Sequence, residues 1–535
     1  MSVVVVGSGP SGVHFALTLL QKGIPVTMVD GGRPPPEPVL PEASWEDLKE
    51  RLDDPAAYFL GERFEGVQLP SSSEEYYGIP PHKQYIFEPP VDWKYAATGF
   101  APLFSFAQGG LAEAWTGGCY PFNDGELEGF PFSYGELAPF YEEVARRIGL
   151  SGLDDDLSQF MPFQRESQPP VETDASATSI LAAYERKKRH LNGKLGFYLG
   201  RSRIATLTRK LGEREPCTYL GRCLWGCPTA SLYTPSLTLA ECKAYSGFEY
   251  RPGLLVTHFT YDEDRRISAL SASPIDGGEK VELEVGHLVL AAGALATTKI
   301  VLESVYGATG DIVRLGGLMD NRQALVPFSN LRMLGRSFEP RSYQYNQLCL
   351  GLIRPKAADY VHGLATTLTT ALAHPIAQQL PFDLGTSMYI TRAMHATLGL
   401  VNLNFRDTRR DENEVWLAPR GCGGPSTLSI AYEPEADESR RIDAAIRTLR
   451  AGLWKLGCVV PPGMAHVRPM GASVHYAGTL PMTSRDGSWT TRPDGSSRDF
   501  RNLHIADGAT FPFLPAKNLT FTLMANAVRI ARQAF

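Results

Sequence analysis

The amino terminus constrains this chain more than any other stretch. Val3, Val4, Val5 and Val6 run without a polar interruption into Gly7-Ser8-Gly9-Pro10-Ser11-Gly12. Four consecutive β-branched residues read as a strand buried on both faces, as in a parallel sheet. Val13 to Gly23 then reads as a helix, and Pro25 to Asp30 as a second strand. In a strand–turn–helix–strand unit each glycine of G-x-G-x-x-G has its own task. Gly7 permits the tight turn, Gly9 lets backbone amides approach a pyrophosphate, and Gly12 lets helix and strand pack closely. A phosphate placed there meets unpaired amides and the positive end of a helix dipole. Asp30 closes the second strand eighteen residues past Gly12, where a carboxylate accepts hydrogen bonds from a ribose diol. The unit predicts a dinucleotide-binding α/β domain.

At 535 residues the chain has length for more than one structural unit. The proline-rich stretch Gly31 to Glu42 cannot continue a helix or a central strand. Trp45 to Ala107 reads as irregular, aromatic-rich loop with a short helix. A second strand–helix signal comes at His287 to Ala292, followed by Gly293 to Ser304. Leu315 to Gly457 alternates like strand and ends in an amphipathic helix, Glu438 to Gly457. Strand, turn and helix return from Phe500 onward. Two-layer α/β pieces at the start, middle and end, with a sheet-rich insert between them, imply a discontinuous nucleotide domain carrying a second domain.

The other informative region is Ser473-Val474-His475-Tyr476-Ala477-Gly478-Thr479, followed by Asp507-Gly508 and by Asn518 ahead of a last helix. On these residues the chain resembles the glucose–methanol–choline oxidoreductases. That family has a His opening an H-x-x-G-T element, a later strand ending in Asp-Gly or Asp-Ala, and an Asn or His before its final helix. The likeness extends along the chain. Gly109 to Gly118, GGLAEAWTGG, resembles the family's Gly-Gly loop beside the flavin, and Phe130 to Gly152 resembles the helix after it. Leu288 to Ser304 resembles its flavin-packing strand and turn, and Met319-Asp320-Asn321 stands where an Asp-His pair is usual.

The resemblance implies an α/β fold: a discontinuous Rossmann-like FAD-binding domain with an inserted α+β substrate domain built on an antiparallel sheet. The expected division is 1–35, 100–125, 200–310 and 460–535 for FAD, 36–99 for a loop or lid, and 126–199 with 311–459 for substrate. The cofactor-binding set is Gly7, Gly9, Gly12, Asp30, Gly109, Gly110, Trp115, Thr116, Ala292, Gly293, Asp507, Gly508 and Thr520. The implied function is FAD-dependent alcohol oxidation, with hydride passing from a carbinol carbon to flavin N5. His475 and Asn518 are the catalytic pair. A neutral imidazole is the natural base at neutral pH, and an amide can hold the same oxygen as it gains charge without itself titrating. Taken singly, His475 also fits a hydrogen-bonded core histidine and Asn518 a helix N-cap. His466, His374, His395 and His504 have no ligand spacing and read as structural or surface residues.

Some pyranose-oxidising members attach FAD through a His directly before Trp-Thr in the Gly-Gly loop; here Ala114 precedes Trp115-Thr116. Alanine has no nucleophile, so FAD is expected to bind without a covalent link. Cys217, Cys223 and Cys227-Pro228 follow the ferredoxin-type run C-x2-C-x2-C-x3-C-P with Leu220 in place of one cysteine. Free thiols are favoured there over a three-iron cluster, so no metal is expected. The alternative readings are an electron-transferring dehydrogenase subunit with an Fe–S cluster at those three cysteines, or a lyase that keeps FAD without redox use. Cys119, Cys242, Cys349, Cys422 and Cys458 lack metal spacing.

Net charge of -6 with no basic block gives no electrostatic reason for nucleic acid or an anionic membrane. No apolar run is long enough to span a bilayer, and no basic, apolar leader precedes the first strand. A cytoplasmic location is expected. The partners expected are a small alcohol of sugar, polyol or aminoglycoside type, and oxygen or another electron acceptor; the oligomeric state is open.

Overall fold

Val3–Val6 forms the centre of a five-stranded, wholly parallel sheet, the layer that places the site. The order is Leu503–Ile505, His287–Leu290, Val3–Val6, Val26–Val29, Phe248–Arg251. The computed structural model describes all residues except 1–2, 36–41, 63, 65–74, 76–77, 354–358, 369–376, 378–379 and 419–425. His374 and Cys422 lie outside the described residues.

The four valines alternate between two cores. Val3 and Val5 pack with the first helix, Pro10–Gln21, and with the helices Tyr134–Ile148 and Thr520–Ala534. Val4 and Val6 pack with the helix Ala294–Thr309 and the antiparallel strands Leu254–Tyr261, Ile267–Pro274 and Val281–Glu284. Burial on both faces is what their unbroken apolar run predicts. The chain passes from Val3–Val6 to Val26–Val29 on one side and returns with His287–Leu290 on the other. Ligands of open α/β sheets bind at such a reversal, beyond the carboxyl ends of the strands.

A second, antiparallel sheet is built from Cys458–Val459, Arg322–Asn330, Leu398–Phe405, Val361–Thr367, Leu348–Leu352 and Phe197–Arg201, with His466–Val467 also on Arg322–Asn330. One face is apolar and lies under the helices Ala175–His190 and Glu438–Lys455. Val401, Leu403 and Phe405 belong to that face. Asn402 and Asn404 alternate with them and point to the opposite side.

The segment boundaries differ from those expected. Tyr134–Ile148, inside the interval given to the substrate domain, packs in the core against the parallel sheet. Its Leu137, Tyr141, Val144, Ala145 and Ile148 form one stripe at helical spacing and are fully buried there. Phe197–Arg201 straddles a proposed boundary yet pairs wholly with Leu348–Leu352, and His466–Val467 joins the antiparallel sheet from within 460–535. Lys94–Thr98, in the stretch read as loop or lid, pairs in parallel with Thr427–Ala431. Strand partners far apart in sequence decide these points, and composition does not register them. Among the described residues no helix is long and apolar enough to cross a membrane.

Gly12 is where helix and turn touch: a Cβ there would stand 3.0 Å from the Gly7 carbonyl carbon and closer still to its oxygen. Gly12→Ala should cost about 1–3 kcal/mol through overpacking, lower the melting temperature and leave little bound flavin. Unchanged melting with full flavin content would contradict this placement.

Candidate functional site

Gly7, Asp30, Ala292 and Asp507 all follow the carboxyl ends of parallel strands, so the fold gathers most of the expected cofactor residues at one edge. Ser8 is the clasp. Its hydroxyl bonds the Asp30 carboxylate and accepts from Gly109 N at 2.9 Å, drawing in the Gly109–Gly110 loop. Beside it the backbone is bare. A Cβ on Gly9 would meet nothing within 4 Å, and one on Gly110 would meet only Gly9 Cα at 3.6 Å. Gly9 is the N-cap of the first helix and no side chain caps it. Uncapped amides at a helix start, walled by glycine, suit a pyrophosphate. The residues therefore fit a dinucleotide cofactor.

Asp30 also accepts from Tyr250 Oη at 3.0 Å, and burial raises its pKa against these hydrogen bonds. Trp115 Nε1 donates to the Tyr233 carbonyl at 2.7 Å, and Thr116 Oγ1 accepts from Asn346 Nδ2 at 2.8 Å. That second bond ties the Gly-Gly loop to the antiparallel half. Asp507 accepts from Gly293 N at 3.0 Å, Thr297 Oγ1 at 2.5 Å and Ala509 N at 2.9 Å. Its carboxylate thus faces the first turn of Ala294–Thr309, where a helix dipole favours an anion, while burial pushes its pKa up to about 6. Gly508 O accepts from Gly478 N at 3.0 Å, joining this edge to the H-x-x-G-T element. Thr520 opens the last helix.

The two residues expected to form a catalytic pair converge. His475 comes from a loop and Asn518 from the residue before Leu519, yet Asn518 Nδ2 lies 3.4 Å from His475 Nε2. Leu519 is the N-cap of the last helix and no side chain bonds there, so Asn518 does not serve as the N-cap. Its Oδ1 is buried and without a partner among the described residues.

Asn321 decides what His475 can do. Asn321 Nδ2 donates to the carbonyls of Phe405 and Pro515, both at 2.8 Å. Both of its N–H groups are used, so Oδ1 is the atom that faces His475 Nδ1 at 3.0 Å. An amide oxygen only accepts. Nδ1 must therefore carry the proton, and in the neutral ring Nε2 presents its lone pair beside Asn518. Burial, then the Arg468 charge, pushes the His475 pKa down to about 4. The ring is neutral at physiological pH and ready to accept a proton.

Asp320 holds the loop that carries this ring. It accepts from Gly471 N at 2.8 Å and His475 N at 2.9 Å, and it bonds the Ser473 hydroxyl. Between them Val474 sits at φ +58°, which a β-branched residue rarely adopts. Such strain costs on the order of 1–3 kcal/mol and persists only where surroundings impose it. Thr479 Oγ1 pairs with Thr298 Oγ1 at 2.7 Å, so both ends of the element are tied down.

Sequence reading did not find Lys517 and Glu126. Lys517 Nζ, fully buried, bonds Glu126 Oε2 at 2.5 Å, Phe160 O at 2.6 Å and Pro121 O at 2.9 Å, fixing the backbone just before Asn518. No local signal links two residues 391 positions apart. Cys217, Cys223 and Cys227 are free thiols close to one another, and Cys227 Sγ lies 3.0 Å from Ser231 Oγ. Burial pushes Cys217 up to about 11 and Cys223 well above the ordinary thiol range. Among the described residues no group of three His, Cys, Asp or Glu is arranged to hold a metal ion. His466 pairs with Glu75 at 2.9 Å, His395 stacks on Phe338, and His504 packs against Phe535.

The fold thus brings a neutral histidine and an amide together, and at the carboxyl edge of the parallel sheet it gathers a glycine-walled helix start that fits a dinucleotide. A GMC oxidoreductase C-terminal family model matches residues 409–527. A 2-methyl-1,2-propanediol dehydrogenase of Mycolicibacterium austroafricanum is 28% identical over 98% of this chain and 94% of its own length. A C-glycoside 3-oxidase of Microbacterium trichothecenolyticum is 25% identical over 99% of this chain and 96% of its own. The crystal structure of pyridoxine 4-oxidase from Mesorbium loti aligns with TM-score 0.61 at 14% identity, covering 99% of this chain and 98% of that one. The chain is thus similar to GMC oxidoreductases, through the family model over residues 409–527 and through these relatives over nearly its whole length, and the similarity supports an FAD-dependent oxidoreductase acting on CH–OH groups.

The Asn321 contact yields a pH test. In the wild type the acid limb of flavin reduction by alcohol should follow the depressed His475 pKa. Asn321→Asp places an anion against Nδ1, which favours the imidazolium, so the base is lost at higher pH. The limb should rise by about 1–3 units. An unmoved limb in stopped-flow reduction would show that Asn321 does not govern the ring.

Proposed function

We propose that the enzyme oxidises the carbinol carbon of a sugar, polyol or aminoglycoside-like alcohol, with FAD held non-covalently in a discontinuous Rossmann-like domain. The supporting observation is the locked tautomer: Nδ1 of His475 is committed to Asn321, and Nε2 lies 3.4 Å from Asn518 Nδ2. A substrate hydroxyl seated against both atoms donates its proton to Nε2. As charge grows on its oxygen, Asn518 Nδ2 donates to that oxygen without titrating. Lys517, anchored by Glu126, keeps Asn518 in place. The bound flavin supplies the hydride acceptor. In this reading Gly7, Gly9, Gly12, Gly109 and Gly110 line the pyrophosphate cleft, and Asp30 lies at the ribose end. Trp115, Thr116, Ala292, Gly293, Asp507, Gly508 and Thr520 border the rest of the cofactor.

The substrate class draws support from two relatives, one named for a 1,2-diol and one for a glycoside. Both chemistries put a second oxygen near the carbinol. Ala114 supports non-covalent binding, since it offers no nucleophile to the flavin. Acid precipitation should release the flavin into the supernatant; yellow colour retained in the pellet would overturn that part.

Anaerobic mixing with a panel of sugars, diols and aminoglycosides should bleach the visible flavin band. His475→Ala should keep its flavin while reduction slows about 10²-fold or more, the span of a general base. Near-wild-type reduction in that variant would remove His475 from the mechanism.

A further inference from the structure

The polar face of the antiparallel sheet carries an ordered chain of side chains that ends in a donor with no partner among the described residues. Arg468 Nε bonds Glu75 at 2.7 Å, and its NH1 donates to Gln323 Oε1 at 2.6 Å. This fixes the Gln323 amide, whose Nε2 donates to Asn404 Oδ1 at 2.8 Å. The orientation of Asn404 follows: its Oδ1 is engaged, so Nδ2 is the group presented outward. Asn404 is 0% exposed, and Nδ2 has no partner among the described residues. Two residues away on the same face, Asn402 Oδ1 is also buried without a partner among the described residues.

This cluster lies beside the catalytic pair. Asn404 directly precedes Phe405, whose carbonyl anchors Asn321 and through it His475. Gln323 pairs with Asn404 across the strands, and the Arg468 charge reaches His475. Leu403 and Phe405 pack into the core under the helices, so Asn402 and Asn404 face away from it. A buried N–H and a buried C=O that lack partners, as these do among the described residues, are costly unless a ligand completes them. A hydroxyl group both donates and accepts. Two amides spaced two residues along a strand, roughly 7 Å, match an extended polyhydroxy compound better than a monohydric alcohol.

We propose that Asn404 and Asn402 form a hydroxyl-recognition subsite, Asn404 Nδ2 donating to a neighbouring hydroxyl of the substrate and Asn402 Oδ1 accepting from another. The Glu75–Arg468–Gln323 chain acts as a positioning device that keeps Asn404 from turning. The subsite rests on the reading that the substrate is a polyol or sugar, and it explains how that class is preferred.

Matched substrates test it on the holoenzyme. The first pair is 2-methylpropane-1,2-diol with 2-methylpropan-1-ol; the second is glucose with its 2-deoxy and 3-deoxy analogues. In the wild type, loss of the contacted hydroxyl should lower kcat/KM for flavin reduction about 10-fold or more. In Asn404→Leu the polyol should fall to the level of its deoxy partner, while the deoxy partner changes little. Asn404→Ala, too small to clash, should behave alike, with flavin spectrum and melting temperature confirming the holoenzyme. A variant that lowers both members of a pair equally, or neither, overturns the subsite. A wild type reduced by simple alcohols but by no polyol overturns the substrate reading itself, and the subsite with it.

Discussion

One hydrogen bond, from His475 Nδ1 to Asn321 Oδ1 at 3.0 Å, determines the chemistry available to this site. An imidazole has two nitrogens, and only the one without a proton can act as a base. Asn321 makes that choice because both of its N–H groups are already given to Phe405 and Pro515. The amide cannot flip without leaving those carbonyls and the ring unsatisfied. Burial then keeps the ring neutral, with a pKa down to about 4. Neutrality and tautomer have separate causes, and the base needs both.

The support for this bond comes from the meeting of two sheets. Asn321 precedes the strand Arg322–Asn330 of the antiparallel sheet, while Asn518 precedes a helix that packs on the parallel one. Asp320 grips the His475 loop through backbone amides and stabilises the left-handed Val474 between them. Asp507 and Gly508 join the cofactor edge to the same loop through Gly478. The imidazole is thus positioned against both halves, which suits the proposed reaction, in which substrate and cofactor must be aligned together.

Local sequence carried the parallel core, and two residues singled out together, His475 and Asn518, do meet in the structure. Val3 to Gly12 folds as its glycines and valines require, because each constraint acts within a few residues of its neighbour. His475 and Asn518 were legible through the resemblance to a family. Asn321 was noticed only as a departure from an Asp-His pair; its two donors and its control of the ring depend on carbonyls 84 and 194 residues away. Lys517 with Glu126, and Gln323 with Asn404, were invisible for the same reason. The N-cap role open to Asn518 fell to Leu519, since the amide is drawn toward His475 instead. Domain limits were the least legible, because strands such as Lys94–Thr98 find their partners over 300 residues away.

The most direct measurement is the protonation state of the His475 ring in the holoenzyme. Nitrogen NMR on protein carrying 15N-labelled histidine, with His475→Gln to assign the signal, reads the two ring nitrogens separately. At pH 7 the account predicts a protonated Nδ1 and a bare Nε2. A ring protonated on Nε2, or on both nitrogens, would contradict it.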